Sequence, residues 1–529
     1  MTKCLLVSPQ FPELSYWNYR EVCELFGARY PAAPLGLVTA AALLPQAWQI
    51  RLLDLNVREM DTALLDWADI VMAGGMIPQQ RNLLSLIDLC HARGKRIVVG
   101  GQDPTSQPDV YATADYLVLD EGELTIPTFL ADLEAGATHG IYRAAEKPDV
   151  TQSPTPRFDL LELTKYLHVG VQFSRGCPLN CEFCDIIELY GRKPRTKTPQ
   201  QVLRELECLY QLGYRGHVDF VDDNFIGNKK AVTAFLPELL AWSRRCGFPF
   251  FFSTEATINL ADDPTLLGMM EALDFRYVFV GIETPDTELL IRTQKKVNTR
   301  HPIVESVHRL NSHGMVVTAG FILGFDGETR NAAEAIVGCV EAAGIPMAMV
   351  GLLTALPNTQ LTRRLGREGR LIDGFSLQRP GDVDQATMGL NFTPSRPHAE
   401  ILEDYAALVR RLYSPKPYFG RVRTVARHLS RHPKQVGSLR GRWTDIGALG
   451  AVTWRLGFDR ATAWDFWRTV LAVLMTRPKS FEAAVHLMAL FLHFRNHTRF
   501  VLDGLERHLA RLKAEPQQSS CRMRAPVGN

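Results

Sequence analysis

The sequence predicts an α/β protein in three parts: a Rossmann-like domain with a parallel sheet, a partial (β/α)6 barrel, and an α-helical C-terminal domain. Three observations carry this reading. Over the first ~145 residues short apolar runs alternate with amphipathic stretches. The alternation restarts at Val169 and continues to about Leu356. Beyond about Arg396 strand signals vanish and only helical apolar spacing is left. A chain of 529 residues also exceeds what one hydrophobic core organises.

In the first part, 1–145, Cys4–Ser8 reads as a strand and Pro34–Leu44 as a helix with proline near its start. Gln49–Leu55 and Ile70–Gly74 are strand-like. Arg81–Arg93 is a helix closed by Gly94, and Lys95–Gly101 and Ala114–Leu119 are further strands. Strands alternating with helices form a parallel sheet covered on both faces. Glycines at strand ends, above all Gly100 and Gly101, suggest close backbone approach to a ligand at the carboxyl edge; tight turns use glycine in the same way. Residues 146–165 are read as a linker, because Ala144–Arg157 sets Pro148, Pro154 and Pro156 among charges and small residues.

In 166–395 the candidate strands are Val169–Ser174, His217–Val221, Phe250–Glu255, Tyr277–Glu283, Val316–Leu323 and Ala348–Leu353. Helices such as Pro199–Leu212, Lys229–Cys246, Pro264–Leu273 and Arg300–His313 lie between them. Function in such a barrel sits at the carboxyl ends of the strands. In 396–515 the helical stretches are Ala399–Tyr413, Gly420–Ser430, Ala463–Met475, Ser480–Phe494 and Phe500–Ala514. The polar tail 516–529 is expected to be disordered.

Hydrophobic residues at 46% and charged residues at 22% describe a globular chain. A net charge of +2 offers no basic excess for nucleic acid, and no such partner is expected. No run of ~18 apolar residues marks a membrane span, and the N-terminus lacks a signal-peptide pattern. The expected location is the cytoplasm. The C-terminal helices mix Tyr413, Trp464, Trp467, Phe491 and Phe494 with Arg and His. That suits a substrate cap, a peripheral membrane surface, or most simply a bundle with an aromatic core.

Ten cysteines in a large chain without a secretory signal do not read as a disulfide framework. Seven have no partner at ligand spacing. Cys177, Cys181 and Cys184 form Cys-x-x-x-Cys-x-x-Cys just after a predicted strand. Three thiolates on one loop can ligate three irons of a cubane, and with no fourth nearby one iron stays open. A structural zinc site would want four ligands, a complete electron-transfer cluster would want a fourth cysteine, and core cysteines can cluster by chance.

Cys177-Pro178-Leu179-Asn180-Cys181-Glu182-Phe183-Cys184 resembles the cluster loop of the radical S-adenosylmethionine (SAM) superfamily, including the aromatic residue before the last cysteine. The resemblance implies a [4Fe–4S] cluster whose open iron is chelated by the amino and carboxylate groups of SAM. It implies reductive cleavage to a 5′-deoxyadenosyl radical that takes a hydrogen atom from substrate, and an electron donor such as a flavodoxin or ferredoxin. Further strand ends look like the superfamily's SAM contacts. These are Asp222 in Asp219–Asn224, which departs from the superfamily's Gly-Gly-Glu, then Ser253 and Glu255, then Glu283 in Gly281–Thr284, then Gly324 in Gly320–Phe325. Taken singly, each acid reads equally well as a solvated strand-end carboxylate.

Ahead of such a barrel, the first domain resembles the cobalamin-binding domain of the cobalamin-dependent radical SAM class. The resemblance rests on Pro34-Leu35-Gly36-Leu37, Leu53-Asp54-Leu55-Asn56, Val99-Gly100-Gly101 and Asp115–Glu123, in that order. It implies that Gly36, Asp54, Gly100 and Gly101 line a cobalamin, and with the barrel it spans Lys3 to Leu356. Domains that ligate cobalt through histidine carry Asp-x-His-x-x-Gly. Here Asp88 is displaced by one residue, and His91 reads as a helix-end histidine beside the terminal carbonyls, leaving cobalt a weak or absent lower ligand. The implied activity is methylation of an unactivated carbon in a lipid-like or polycyclic substrate, such as a hopanoid or a tetrapyrrole. The alternatives are ring formation or rearrangement without methyl transfer, and a non-catalytic cobalamin-binding sensor with a structural cluster.

Overall fold

The computed structural model describes residues 1–300, 302–372, 389–430 and 439–514; the tail expected to be disordered, 516–529, lies outside them. Two all-parallel sheets organise the chain. The first has six strands in the order Gln49–Asp54, Lys3–Ser8, Ile70–Gly74, Arg96–Gly100, Tyr116–Val118, Gly140–Tyr142. Its side chains alternate between two apolar layers. Leu5 and Val7 pack with Leu65, Leu83 and Ile87 on one face. Cys4 and Leu6 pack with Ala41, Ile126 and Phe129 on the other. A period of two with both faces buried is what a sheet sandwiched by helices requires. The spatial order reverses beside Lys3–Ser8. The next strand of this sheet, Gln49–Asp54, lies on one side of it and Ile70–Gly74 on the other, so the ligand crevice of an open α/β sheet falls there.

The second sheet is the expected partial barrel with one addition. Its strands run Tyr30–Ala32, Tyr166–Val171, Gly216–Phe220, Phe250–Glu255, Phe275–Glu283, Val316–Leu323, Met347–Leu352. Tyr30–Ala32 comes from the N-terminal region and pairs Tyr30 with Tyr166 and Ala32 with His168. Three residues centred on a proline carry no strand signal of their own. The pairing is set across the tertiary structure, and it brings the carboxyl edges of the two sheets to one cavity.

The C-terminal helices are His398–Leu412, Pro415–His428, Leu439–Gly457, Ala463–Thr476 and Phe481–Ala514. The last is one helix of 34 residues where the apolar spacing suggests two. The polar stretch Arg495–Arg499 breaks the pattern, yet His497 and Thr498 are buried. One turn earlier, His493 Nδ1 lies 3.0 Å from Glu21 Oε2 of the helix Arg20–Phe26, so tertiary partners absorb polar side chains here. Among the described residues no helix is long and apolar enough to cross a membrane.

Candidate active site

A single cavity of 2030 Å³ joins the two sheets. That exceeds the ~300–1,000 Å³ usual for one small molecule, so it has room for more than one ligand. Its first-sheet wall includes Gly36, Asp54, Gly74, Gly75, Gly100, Gly101 and Thr105; its barrel wall includes Gln172, Arg175, Asp222, Asp223, Ser253, Glu255 and Phe279. The glycines of the first wall divide by role. A Cβ at Gly100 would fall 2.5 Å from the Val118 carbonyl oxygen, and one at Gly101 (φ +100°) 2.8 Å from Gly75 N, so backbone packing already demands glycine there. At Gly36 an added Cβ meets no atom within 4 Å and projects into the cavity. Gly36 therefore leaves its point of the wall free of a side chain, with room for a ligand against the backbone. His91 is remote from it: it ends the helix Gln80–Ala92 and faces Asp115 Oδ2 at 3.2 Å.

The cysteine loop borders this cavity: Arg175 and Ile186 on either side of it line the wall, and Cys177, Cys181 and Cys184 do not. All nine described cysteines are free, and Cys177 and Cys181 are buried. Gly176 (φ +91°) turns the chain where a Cβ would sit 2.8 Å from the Gly191 carbonyl oxygen. Cys177 N donates to that same carbonyl at 3.2 Å. Farther along, Glu182 N donates to the Thr293 carbonyl oxygen at 3.1 Å, and Leu361 N donates to the Glu182 carbonyl oxygen at 2.9 Å. Burial raises all three thiol pKa values, and the Lys295 ammonium opposes it in each case. Lys295 pairs with Glu283 at 2.9 Å and stays charged, because the Glu283 and cysteine charges outweigh its burial. A cation held beside three thiols stabilises the thiolate form, which is the metal-binding form. Among the described residues no three His, Cys, Asp or Glu side chains converge on one point, as a single ion would need. Thiolates on three corners of a cubane face no such requirement, and the donor set fits a cluster.

The acids expected to touch SAM divide in the structure. Asp222 accepts from Phe173 N at 2.8 Å, Ser174 N at 2.8 Å and Ser174 Oγ at 2.6 Å, and Asp223 accepts from Gly176 N at 2.8 Å. Both therefore hold the root of the cysteine loop. Glu283 sits in the left-handed region at φ +67° with its carboxylate on Lys295, and it does not line the cavity. Gly324 (φ +105°) donates its N–H to Glu328 Oε2 at 2.9 Å and also lies outside the cavity wall. Asp54 is committed to Asn56 and to Tyr166 Oη, 2.8 Å away. Ser253 Oγ donates to Asp219 and lies 2.6 Å from His217 Nε2. Glu255 alone among these acids opens into the cavity without a bonded partner in hand. Desolvation by the surrounding protein, then the Asp219, Asp223 and Asp222 charges, raise its pKa even though the side chain is exposed within the cavity, which favours the protonated form that can donate a hydrogen bond to a ligand.

The residues missed by sequence reasoning form a buried clamp between the domains. Arg175, two residues before Cys177, donates to Glu121 Oε2 at 2.8 Å, Glu123 Oε1 at 2.8 Å and Gln172 Oε1 at 2.7 Å. Arg195 donates to Glu121 Oε1 at 2.7 Å. Glu121 and Glu123 belong to the segment Asp115–Glu123 that resembles a cofactor motif; in the structure their carboxylates reach across to the loop. The only signal was two acids flanking a glycine at a strand end.

Comparison with known proteins places this geometry in a class. The pattern of the radical SAM superfamily matches residues 171–339, and that of a domain of unknown function (DUF4070) matches 359–507. The chain belongs to the radical SAM superfamily, whose cofactors are SAM and a [4Fe–4S] cluster. Within it the chain groups with methyltransferases. It is 44% identical to an uncharacterised methyltransferase of Synechocystis over 98% of this chain and 96% of that one. It is 35% identical to the hopanoid C-2 methylase of Rhodopseudomonas palustris over 84% of each. The fold matches the radical SAM methyltransferase TsrM of Kitasatospora setae, solved with cobalamin and a [4Fe–4S] cluster, with a TM-score of 0.61 at 16% identity over 91% of this chain and all of that one.

Proposed function

We propose that this protein is a cobalamin-dependent radical SAM methyltransferase that methylates an unactivated carbon of a lipid-like polycyclic substrate of the hopanoid type. One observation carries the reading: a single cavity is lined both by the glycines Gly36, Gly74, Gly75, Gly100 and Gly101 of the first domain and by Arg175, Asp222 and Asp223 at the root of the cysteine loop. When bound, cluster and SAM supply a carbon-centred radical and cobalamin supplies a methyl group. The chain's own residues orient these groups. Gly36 leaves its point of the wall free of a side chain. Asp222, Asp223 and Arg175 fix the loop that carries Cys177, Cys181 and Cys184. Glu255 is placed to hold a ligand hydroxyl or amine. The substrate class is supported by the hopanoid methylase relative and by apolar cavity residues such as Trp17, Phe26, Phe279 and Leu490.

The test is anaerobic reconstitution with iron, sulfide, cobalamin, SAM and a reductant, with a hopanoid or a tetrapyrrole as acceptor. A product heavier by one methylene, formed only with cobalamin present, is expected from the hopanoid. Turnover without that gain would favour ring formation or rearrangement, and absence of 5′-deoxyadenosine in every mixture would favour a sensor.

A further inference from the structure

The helical hairpin Leu439–Gly457 and Ala463–Thr476 exposes a concentration of apolar side chains between Ile446 and Met475. In Ala463–Thr476 the side chains of Phe466, Thr469, Val470 and Val473 are buried. The opposite face carries Trp464, Trp467, Leu471 and Met475, on one stripe of the helix. Trp464 is 77% exposed, Leu471 57% and Met475 83%. The preceding helix and turn add Trp454 and Phe458, whose rings lie 5.4 Å apart. Of the 16 large apolar side chains exposed among the described residues, eight fall between Ile446 and Met475, including all three exposed tryptophans. Scattered exposed apolar residues are ordinary, but such a concentration marks a contact surface.

The same stretch is basic. Arg455, Arg460, Arg468, Arg477 and Lys479 are all exposed, against two acids, Asp459 and Asp465. Asp459 is already paired with Arg495 at 2.5 Å. The stretch 446–479 thus carries more positive charge than the whole chain's +2. Burial and then Arg468 hold the neighbouring Arg423 guanidinium below its ordinary range, with Arg427 adding to the effect. A second copy of this chain would set these cations against their equals across a two-fold axis. Tryptophan and aliphatic side chains framed by Arg and Lys instead match the interface of an anionic bilayer. The turn Arg477–Ser480 then leads into the helix whose first turns place Glu482, His486 and Leu490 on the cavity wall.

We propose that this hairpin face docks the protein on an anionic lipid bilayer, bringing the helical wall of the cavity to the membrane from which an apolar substrate would come. Docking goes beyond the methyl-transfer reading and needs neither cluster nor SAM, so either can fail without the other. The test is flotation of the full chain with vesicles of phosphatidylglycerol and phosphatidylcholine, against phosphatidylcholine alone. The wild type is expected to float with the anionic vesicles and to release as salt rises. The triple variant W464S/L471S/M475S is expected to lose about tenfold or more of this binding while keeping its circular dichroism spectrum and melting temperature. R468E/K479E is expected to lose the preference for anionic vesicles. Failure of the wild type to bind, equal binding by the triple variant, or a wild-type dimer that the triple variant turns into a monomer would each overturn the proposal.

Discussion

Replacing Glu123 with Gln tests the clamp that holds the cysteine loop. The Arg175 and Glu123 side chains are 12% and 8% exposed. Burial pushes the Glu123 carboxyl up, but the Arg175 hydrogen bonds and charge, with Ser153 Oγ, more than reverse it, and the pKa falls from 4.5 to about 2. At ~1.4 kcal/mol per pH unit, that depression contributes about 3 kcal/mol. Breaking buried ion pairs costs a similar ~3–5 kcal/mol. Glu123→Gln keeps the shape and leaves Arg175 with Glu121, so the expected loss at pH 7 is about 3 kcal/mol in denaturant unfolding. Iron bound per chain after reconstitution should fall with it, because Arg175 is joined to Cys177 through Gly176 alone. The sign of the pH dependence follows from a depressed carboxylate. The contribution is complete above the unfolded value near 4.5, and the gap between variant and wild type closes as pH falls from there towards about 2. Arg175→Gln and the double variant complete a cycle that should show strong coupling. Equal stability and equal iron content in Glu123→Gln and wild type at pH 7 would refute the clamp.

Other outcomes follow from the same geometry. Asp222→Asn replaces an acceptor of three hydrogen bonds with a group that can accept fewer; it should cost ~1–3 kcal/mol and lower cluster content measured as iron per chain. Glu255→Gln should flatten a pH slope in melting temperature. With its pKa raised to about 8, the folded chain keeps a proton that the unfolded chain releases above ~4.5, so wild-type stability falls as pH rises through that window. The variant should therefore gain on wild type at about pH 9 and not at about pH 4. Gly101→Ala places a Cβ 2.8 Å from Gly75 N at φ +100° and should destabilise the first sheet by ~1–3 kcal/mol in unfolding experiments. Gly36→Ala meets no atom and lies in the helix Leu35–Leu43, so it should leave stability unchanged or raise it by up to ~1 kcal/mol while weakening cobalamin retention on gel filtration.

Much of the fold is legible in the sequence because apolar periodicity reports burial directly. Phe250–Glu255 and Val316–Leu323 are strands with the bounds their patterns predict. Cysteine spacing marks the loop proposed to hold the cluster, because ligand chemistry constrains local sequence. What is illegible depends on contacts distant in the chain. Tyr30–Ala32 becomes a strand only because Tyr166–Val171 offers it an edge. Asp222 looks like a cofactor acid at a strand end, yet it is spent on the backbone of Phe173 and Ser174. Glu121 and Glu123 read as part of a cofactor motif until Arg175 is placed between them. Lys295 has no motif at all; its meaning comes from lying beside Glu283 and the thiols.

The most direct measurement of the central claim uses SAM labelled in its methyl group. The reconstituted protein is given cobalamin, a reductant and a hopanoid acceptor, and the product is weighed by mass spectrometry. A product carrying the intact labelled methyl, formed together with 5′-deoxyadenosine, is expected, and neither compound is expected from Cys177→Ala. An unlabelled or unchanged acceptor alongside abundant 5′-deoxyadenosine, or a Cys177→Ala protein that still cleaves SAM, would contradict it.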